Sequence, residues 1–427
     1  MSEFNEIPVG TYLKLTSGFP FASEKFSDEG FPLIRIRDVL TSKTETYFNG
    51  PFPPGYVIKK GDILIGMDGD FHVVKWFGCD ALLNQRVLKV NVFNESNVIL
   101  DYVFHWLKPF IKKINDITAA TTVKHLSVKD IFKAKAKFPS VSVQQRIAIV
   151  LTNIDTVIEK TEALIDKYQQ IKTGLMHDLF TRGVLPNGKL RPQRDQAPEM
   201  YQETSIGWVP SDWDIQTIGK TLESISDGPF GSNLKTEHYV VDPGVRVVRL
   251  QNVAEYVYSD RDKAYISDRH ARFLLRNKII GGDVLIAGLG EERYPVGRAC
   301  IYPLDLPPAI NKADCFRARC NPATMKNKFF MLFLNSEMAR RQIRRYEQGV
   351  TRPRINTGNM KRLSVCIPSI DEQVRIIEKF ESIQLKISIQ HTNVNKLNQQ
   401  KHGLMQDLLT GKVSVKVEKQ IAESVDG

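Results

Sequence analysis

Residues 172–181 read KTGLMHDLFT, and residues 401–410 read KHGLMQDLLT. Gly174-Leu175-Met176 recurs as Gly403-Leu404-Met405, and Asp178-Leu179 recurs as Asp407-Leu408, at a constant offset of 229. The same offset carries Pro139 onto Pro368, Gln144 onto Gln373, Arg146 onto Arg375 and Thr122 onto Thr351, without a gap. The chain is therefore one unit written twice, and the repeat governs every other reading.

Upstream of each motif, apolar residues recur with alternating spacings of four and three. The first copy places Ile147, Ile154, Thr161, Tyr168 and Leu175 at one seam position, with Leu151, Ile158, Ile165, Lys172 and Leu179 at the other. The second places Ile376, Ile383, Gln390, Leu397 and Leu404, with Phe380, Ile387, Val394, Lys401 and Leu408. Five heptads with a mostly apolar seam predict a coiled-coil helix in each copy, about 50 Å long over residues 146–180. Polar interruptions fall at matching places, Thr161 with Gln390 and Lys172 with Lys401, where they cost stability but fix register. An internal two-fold would set the two helices antiparallel.

The 427 residues carry 42% hydrophobic and 25% charged side chains, the balance of a protein that builds real cores. No run approaches eighteen apolar residues, and residues 1–10 lack a signal-peptide core, so a cytoplasmic location is expected. Five cysteines, none in a CxxC pair, read as reduced and buried small hydrophobes. A net charge of +11 favours a polyanionic partner such as nucleic acid, although a basic solvated surface gives the same total.

Residues 1–140 form the expected first domain, with strand-like runs at 31–39 (FPLIRIRDV), 62–66 and 87–92 and a helix over 101–115. Residues 141–183 are the first long helix, and 184–206, rich in proline and polar residues, a connector. Residues 207–368 repeat the first domain's order, 369–412 are the second long helix, and 413–427 a polar tail. VRVVRLQNV at 245–253 echoes FPLIRIRDV, and Asn311 echoes Asn84, with offsets drifting from 214 to 227. The expectation is an α+β fold: two similar globular domains separated by a long antiparallel coiled coil, with loops that differ between copies.

No catalytic constellation is present: no Walker-type loop, no third glycine after Gly288-Leu289-Gly290, no HxH or HExxH, and no second acid beside Lys75 to make Asp68 and Asp70 a nuclease site. The positive signals point to DNA. Strand alternation over 31–39 sets Arg35 and Arg37 on one face, and Arg249 and Gln251 with Asn252 repeat the pattern, in residue types suited to base edges. A single such strand is equally well a solvent-facing edge; the recurrence brings the two readings level. Asn84-Gln85 and Asn311-Lys312 follow candidate loops, with turn capping as the competing account. Ser232, Asn233 and Lys235 lie in the glycine-punctuated stretch DGPFGSNLK, and Lys124, Arg352 and Arg354 sit just before the long helices, placed to anchor phosphates.

The repeated GLM-D-L-T, the helix starts at Pro139 and at 368–373 (PSIDEQ), and the stretch 185–213 with NGKLRP and GWVPSDW resemble the DNA-specificity subunit of type I restriction–modification systems. The resemblance spans essentially the whole chain. It implies two target-recognition domains, each reading half of a bipartite site, with two helices as spacer and scaffold. It implies a chain that is not itself an enzyme and binds no cofactor. Two methyltransferase subunits would modify adenine N6 with S-adenosylmethionine, and motor–nuclease subunits would use ATP and Mg. Two departures stand out: Val143-Gln144 where the second copy has Glu372-Gln373, and no GW-P opening before Ile7-Pro8. The rival readings are a coiled-coil assembly scaffold without sequence-specific binding and a recognition subunit of a methylation-only system.

Overall fold

A computed structural model describes residues 5–118, 124–241, 243–291 and 293–415. The chain divides into two compact units, one formed by Met1–Ala163 with His391–Gly427 and the other by Leu164–Gln390. Two helices dominate, Val141–Thr181 and Ile370–Leu409, and each contributes one half to each unit. Every seam position named above is buried or half-buried, whereas the outward positions carry most of the charge.

In the first unit, a four-stranded antiparallel sheet has Ile63–Gly66 between Val87–Val92 and His72–Lys75, with Leu13–Ser17 at the far edge. Strand alternation sends Ile63, Ile65, Leu88 and Val90 into one core. There they meet Tyr102, Val103 and Leu107 of the helix Leu100–Ile117, and Ile147, Leu151 and Leu408 of the long helices. Leu64 and Val87 point the other way, against Ile34, Ile58 and Leu83 of a five-stranded sheet. Within that second sheet Phe31–Ile34 pairs in parallel with Ala81–Leu83.

The second unit repeats this plan strand for strand. Val284–Ala287 lies between Cys315–Cys320 and Ala299–Ile301, with Leu222–Ser226 at the edge. Its five-stranded sheet again has one parallel pair, Val245–Val248 with Ala309–Asn311. Val284, Ile286 and Ala318 face a core shared with Phe329, Phe330, Phe180 and Ile376, while Leu285 and Ala287 face the other sheet. The connector is folded rather than loose: Tyr201–Thr204 pairs with Gly207–Pro210.

Within each unit the long helices run antiparallel. In the first, Lys401 pairs with Asp155; in the second, Lys172 donates to Gln384 Oε1 at 2.8 Å. Matching glutamines fasten each helix start to its domain. Gln144 Nε2 donates to Pro139 O (2.8 Å) and its Oε1 accepts the Ile99 N–H (2.9 Å); Gln373 Nε2 donates to Pro368 O (3.0 Å) and its Oε1 accepts the Lys326 N–H (2.8 Å). Both thereby cap a neighbouring helix that begins one residue later. Glu372, where the first copy has Val143, is buried and collects Arg191 Nη1 (2.5 Å) and Nη2 (3.0 Å), Trp213 Nε1 (3.1 Å) and the Val184 N–H (2.8 Å).

Two expectations need correction. The strands at 31–39 and 245–253 stop after four residues, at Ile34 and Val248. In each, a side chain three residues on takes the next N–H: Asp38 Oδ2 accepts from Arg35 N and Asn252 Oδ1 from Arg249 N, both at 2.8 Å, which curls the chain into a 3₁₀ turn. Among the cysteines, Cys79 is exposed and the other four are buried. Thr122 and most of the tail, 416–427, lie outside the described residues.

Candidate nucleic-acid interface

The loops that carry most of the predicted residues are tied together by three main-chain hydrogen bonds, and the same three occur in both units. In the first, Met67 N–H donates to Arg86 O (2.9 Å), Leu126 N–H to Met67 O (2.7 Å) and Gly69 N–H to Lys124 O (3.0 Å). In the second, Gly288 N–H donates to Asp314 O (2.7 Å), Ile355 N–H to Gly288 O (2.9 Å) and Gly290 N–H to Pro353 O (2.8 Å). Arg86 and Asp314 occupy equivalent turns with positive φ, 73° and 63°, an uncommon conformation for residues with a Cβ. A fourth segment crosses each cradle so closely that only glycine fits. A Cβ on Gly18 would lie 1.9 Å from Asn84 O, and one on Gly228 2.1 Å from Lys312 O.

The cradle brings Gln85 and Lys124 together in the first unit, and the 227–235 loop, Lys312, Arg352 and Arg354 in the second. Gln85 is exposed, and Lys124 is half-buried with its Nζ on Asn115 O at 2.7 Å. Arg35 and Arg37 are exposed on the 3₁₀ turn whose Ile36 packs beside Gly66. In the second unit, Ser232, Asn233, Lys235, Gln251, Arg352 and Arg354 are all exposed. Lys312 Nζ donates to Tyr239 Oη at 3.0 Å, and half-buried Arg249 lies over the same ring while pairing with Asp262.

Three asparagines are corrected. Asn84, Asn252 and Asn311 are buried, and their amides serve the main chain rather than the surface. Asn252 Nδ2 donates to Ser259 O (2.8 Å) and Asp262 O (2.9 Å), and Asn311 Nδ2 to Cys315 O (2.6 Å) and Ser226 O (3.2 Å). Asn84 Oδ1 accepts the Gln85 N–H at 2.9 Å. Capping of irregular backbone claims these groups because an unsatisfied buried N–H or C=O costs more than a surface contact gains.

Sequence reasoning missed the carboxylates that brace the exposed cations. Asp68 forms an ion pair with Arg86 (3.5 Å) and lies 2.6 Å from His125 Nδ1; in the second unit Asp314 pairs with Arg354 at 3.0 Å. The offset of 229 makes His125 and Arg354 equivalent, so the charges are permuted on one scaffold. A braced guanidinium keeps free N–H edges: Arg86 and Arg354 side chains remain 54% and 57% exposed. In the second unit Asp227 accepts the Gly228 and Asp314 N–H groups at 2.7 and 2.9 Å. Burial, with the neighbouring Asp314 charge, pushes its carboxyl up to about 6. The signal was an Asp-Gly pair at the start of DGPFGSNLK, which alone reads as a turn.

Comparison with known proteins gives the same picture. The model of the type I restriction modification DNA specificity domain matches twice, over residues 4–170 and 212–399. The EcoBI specificity subunit of Escherichia coli is 27% identical over 406 residues, covering 92% of this chain and 83% of that one. The MjaVIII specificity subunit of Methanocaldococcus jannaschii is 24% identical, covering 89% and 85%. The crystal structure of the type I restriction–modification S subunit from M. genitalium shares the fold with a TM-score of 0.56 and 14% identity, over 96% of each chain. The doubled α+β domain, the paired helices and the two-fold family match agree: the chain belongs to the DNA specificity subunits of type I restriction–modification systems.

Proposed function

We propose that the chain reads a bipartite DNA site, one half with each cradle, and presents it to partner subunits that do the chemistry. The observation that carries this reading is one main-chain scaffold displaying different side chains in its two copies: Gln85, Arg86 and His125 in one, Lys312, Asp314 and Arg354 in the other. Equal scaffolds with unequal surfaces suit two unlike half-sites. Arg35, Arg37, Gln85, Gln251 and Lys312 supply base-edge contacts. Lys124, Ser232, Asn233, Lys235, Arg352 and Arg354 hold phosphates, and Arg249, tied to Asp262, orients the turn beside Tyr239.

A spacer role for the paired helices, as the family resemblance implies, would leave unread base pairs between the two half-sites. The outward faces of the helices retain exposed Ile149, Val157, Ile171, Leu385 and Ile389, which suit docking of two methyltransferase subunits. Those subunits carry S-adenosylmethionine and modify adenine N6, and motor–nuclease subunits carry ATP and Mg; this chain is non-catalytic. No helix among the described residues is long and apolar enough to cross a membrane, and a cytoplasmic site of action accords with a DNA substrate.

The decisive experiment is methylome sequencing of the host with and without this gene. Deletion should abolish N6-methyladenine at one bipartite motif; an unchanged methylome in an active system refutes the proposal. The purified chain, assayed alone with Mg and S-adenosylmethionine, should neither cut nor methylate.

A further inference from the structure

The two cradles differ most in one loop. Residues 67–71 join Gly66 to His72 in the first unit, whereas residues 288–297 join Ala287 to Arg298, at the same ladder positions, in the second. The second loop is five residues longer, and it is held by a side chain that the first unit lacks.

Arg298 is 5% exposed, and all its hydrogen-bond acceptors are main-chain carbonyls. Nε donates to Val253 O (2.7 Å) and Nη2 to Leu250 O (3.2 Å), the two carbonyls that flank the Gln251 turn. Nη1 donates to Leu289 O (3.1 Å), Tyr294 O (3.2 Å) and Pro295 O (3.3 Å), all in the longer loop. Burying a guanidinium without a carboxylate is costly, and a plain core position would be filled by an apolar residue at less expense. What the charge achieves here is geometric: one planar fork fixes two loops to each other. The loop also bonds to the cradle, through the Gly290 N–H on Pro353 O and the bridge of Leu289 with Arg354. Arg293 and Tyr294, both exposed, thus lie in a loop fixed through Arg298 to the turn that carries Gln251 and through Leu289 to Arg354.

We infer that Arg293 and Tyr294 are base-reading residues of the second half-site, and that Arg298 is the positioning residue that holds their loop against the Gln251 turn. The inference rests on the proposed DNA reading and extends it. Arg293 offers paired donors to guanine O6 and N7, and Tyr294 a rigid ring with a hydroxyl that both donates and accepts. The first half-site is read without such an element.

The test uses the complete complex methylating a plasmid library in which each half-site is randomised in turn. Arg298→Lys keeps the charge but cannot span five carbonyls, and the double variant R293A/Y294A keeps those five main-chain acceptors while removing the Tyr294 ring that lies 5.5 Å from the Arg298 guanidinium. Both variants should lower base preference about tenfold or more at one or more positions of one half-site, the size of a lost base contact, and leave the other half-site unchanged. Wild-type preference at both half-sites in R293A/Y294A overturns the inference. So does uniform weakening for every sequence, the mark of phosphate anchoring, and so does equal loss at both half-sites in Arg298→Lys, the mark of a purely structural role. If Arg298→Lys fails to fold, the double variant decides alone. A wild-type complex with no bipartite preference would instead refute the DNA reading itself.

Discussion

Lys401 meets Asp155 across the helix pair, and the repeat carries this contact onto Lys172 and Gln384. The same interaction is thus present twice, once as an ion pair and once as a lysine–amide bond. Asp155 also takes Lys108 at 3.3 Å and stands beside buried His105. Asp155→Asn leaves two lysines together without a carboxylate and should cost roughly 1–3 kcal/mol, below the full value for a deeply buried pair. Gln384→Glu should gain about 0.5–1 kcal/mol by making the second contact ionic. Urea titration of each variant measures both; a neutral Asp155→Asn would show that the seam lysines do not need their partners.

Glu372 is a carboxylate that joins the connector, through Val184 and Arg191, to the second long helix. Glu372→Gln retains the shape but strands Arg191, whose remaining carboxylate is Asp212 at 2.7 Å. Loss of about 2–4 kcal/mol is expected, confined to the unit formed by residues 164–390. Fluorescence of Trp213, whose indole N–H donates to Glu372, reports that unit's unfolding. An unaltered midpoint would place the connector's stability elsewhere.

Gln144 and Gln373 perform one task in two places. Either residue replaced by alanine leaves a helix-start N–H and two carbonyls without partners, about 1–3 kcal/mol each. Because they sit in different units, the double variant should show additive losses, within about 0.5 kcal/mol. Strong non-additivity in calorimetry would contradict independent roles.

Asp227 makes stability depend on pH in the direction opposite to most carboxylates. Its folded value of about 6 lies above the ordinary value near 4, so the folded state holds the proton more tightly. Stability therefore falls as pH rises from about 4 to 6, and above that the ionised group costs about 1–2 kcal/mol after solvent screening. Asp227→Asn keeps an acceptor for the Gly228 and Asp314 N–H groups and should raise the melting temperature at pH 7.5 but hardly at pH 4. An equal shift at both pH values would rule out the charge as its cause.

The helices were legible because a seam of alternating four and three spacings dictates which residues a partner helix covers, whatever the rest of the chain does. The paired domains were legible through their strand echoes. What failed was local. The runs at 31–39 and 245–253 alternate in sequence, yet Asp38 and Asn252 capture the N–H three residues earlier and end the strand. An Asp or Asn at that spacing is the warning sign. Asn84, Asn252 and Asn311 carried the right chemistry for bases but were already committed to backbone. The braces Asp68–Arg86 and Asp314–Arg354, and Glu372 with Arg191, join residues far apart in sequence, which no spacing rule encodes.

The division of the long helices between units has a bearing on how the molecule is made. Residues 164–390 form an uninterrupted stretch, whereas the core of the other unit includes Leu408 and Leu409 beside Val9 and Leu13. As the chain leaves the ribosome, the core of the domain translated first stays incomplete until Leu408 and Leu409 arrive, after the whole of residues 164–390. The domain translated second can close before it, so a chaperone has most reason to shelter the amino-terminal half.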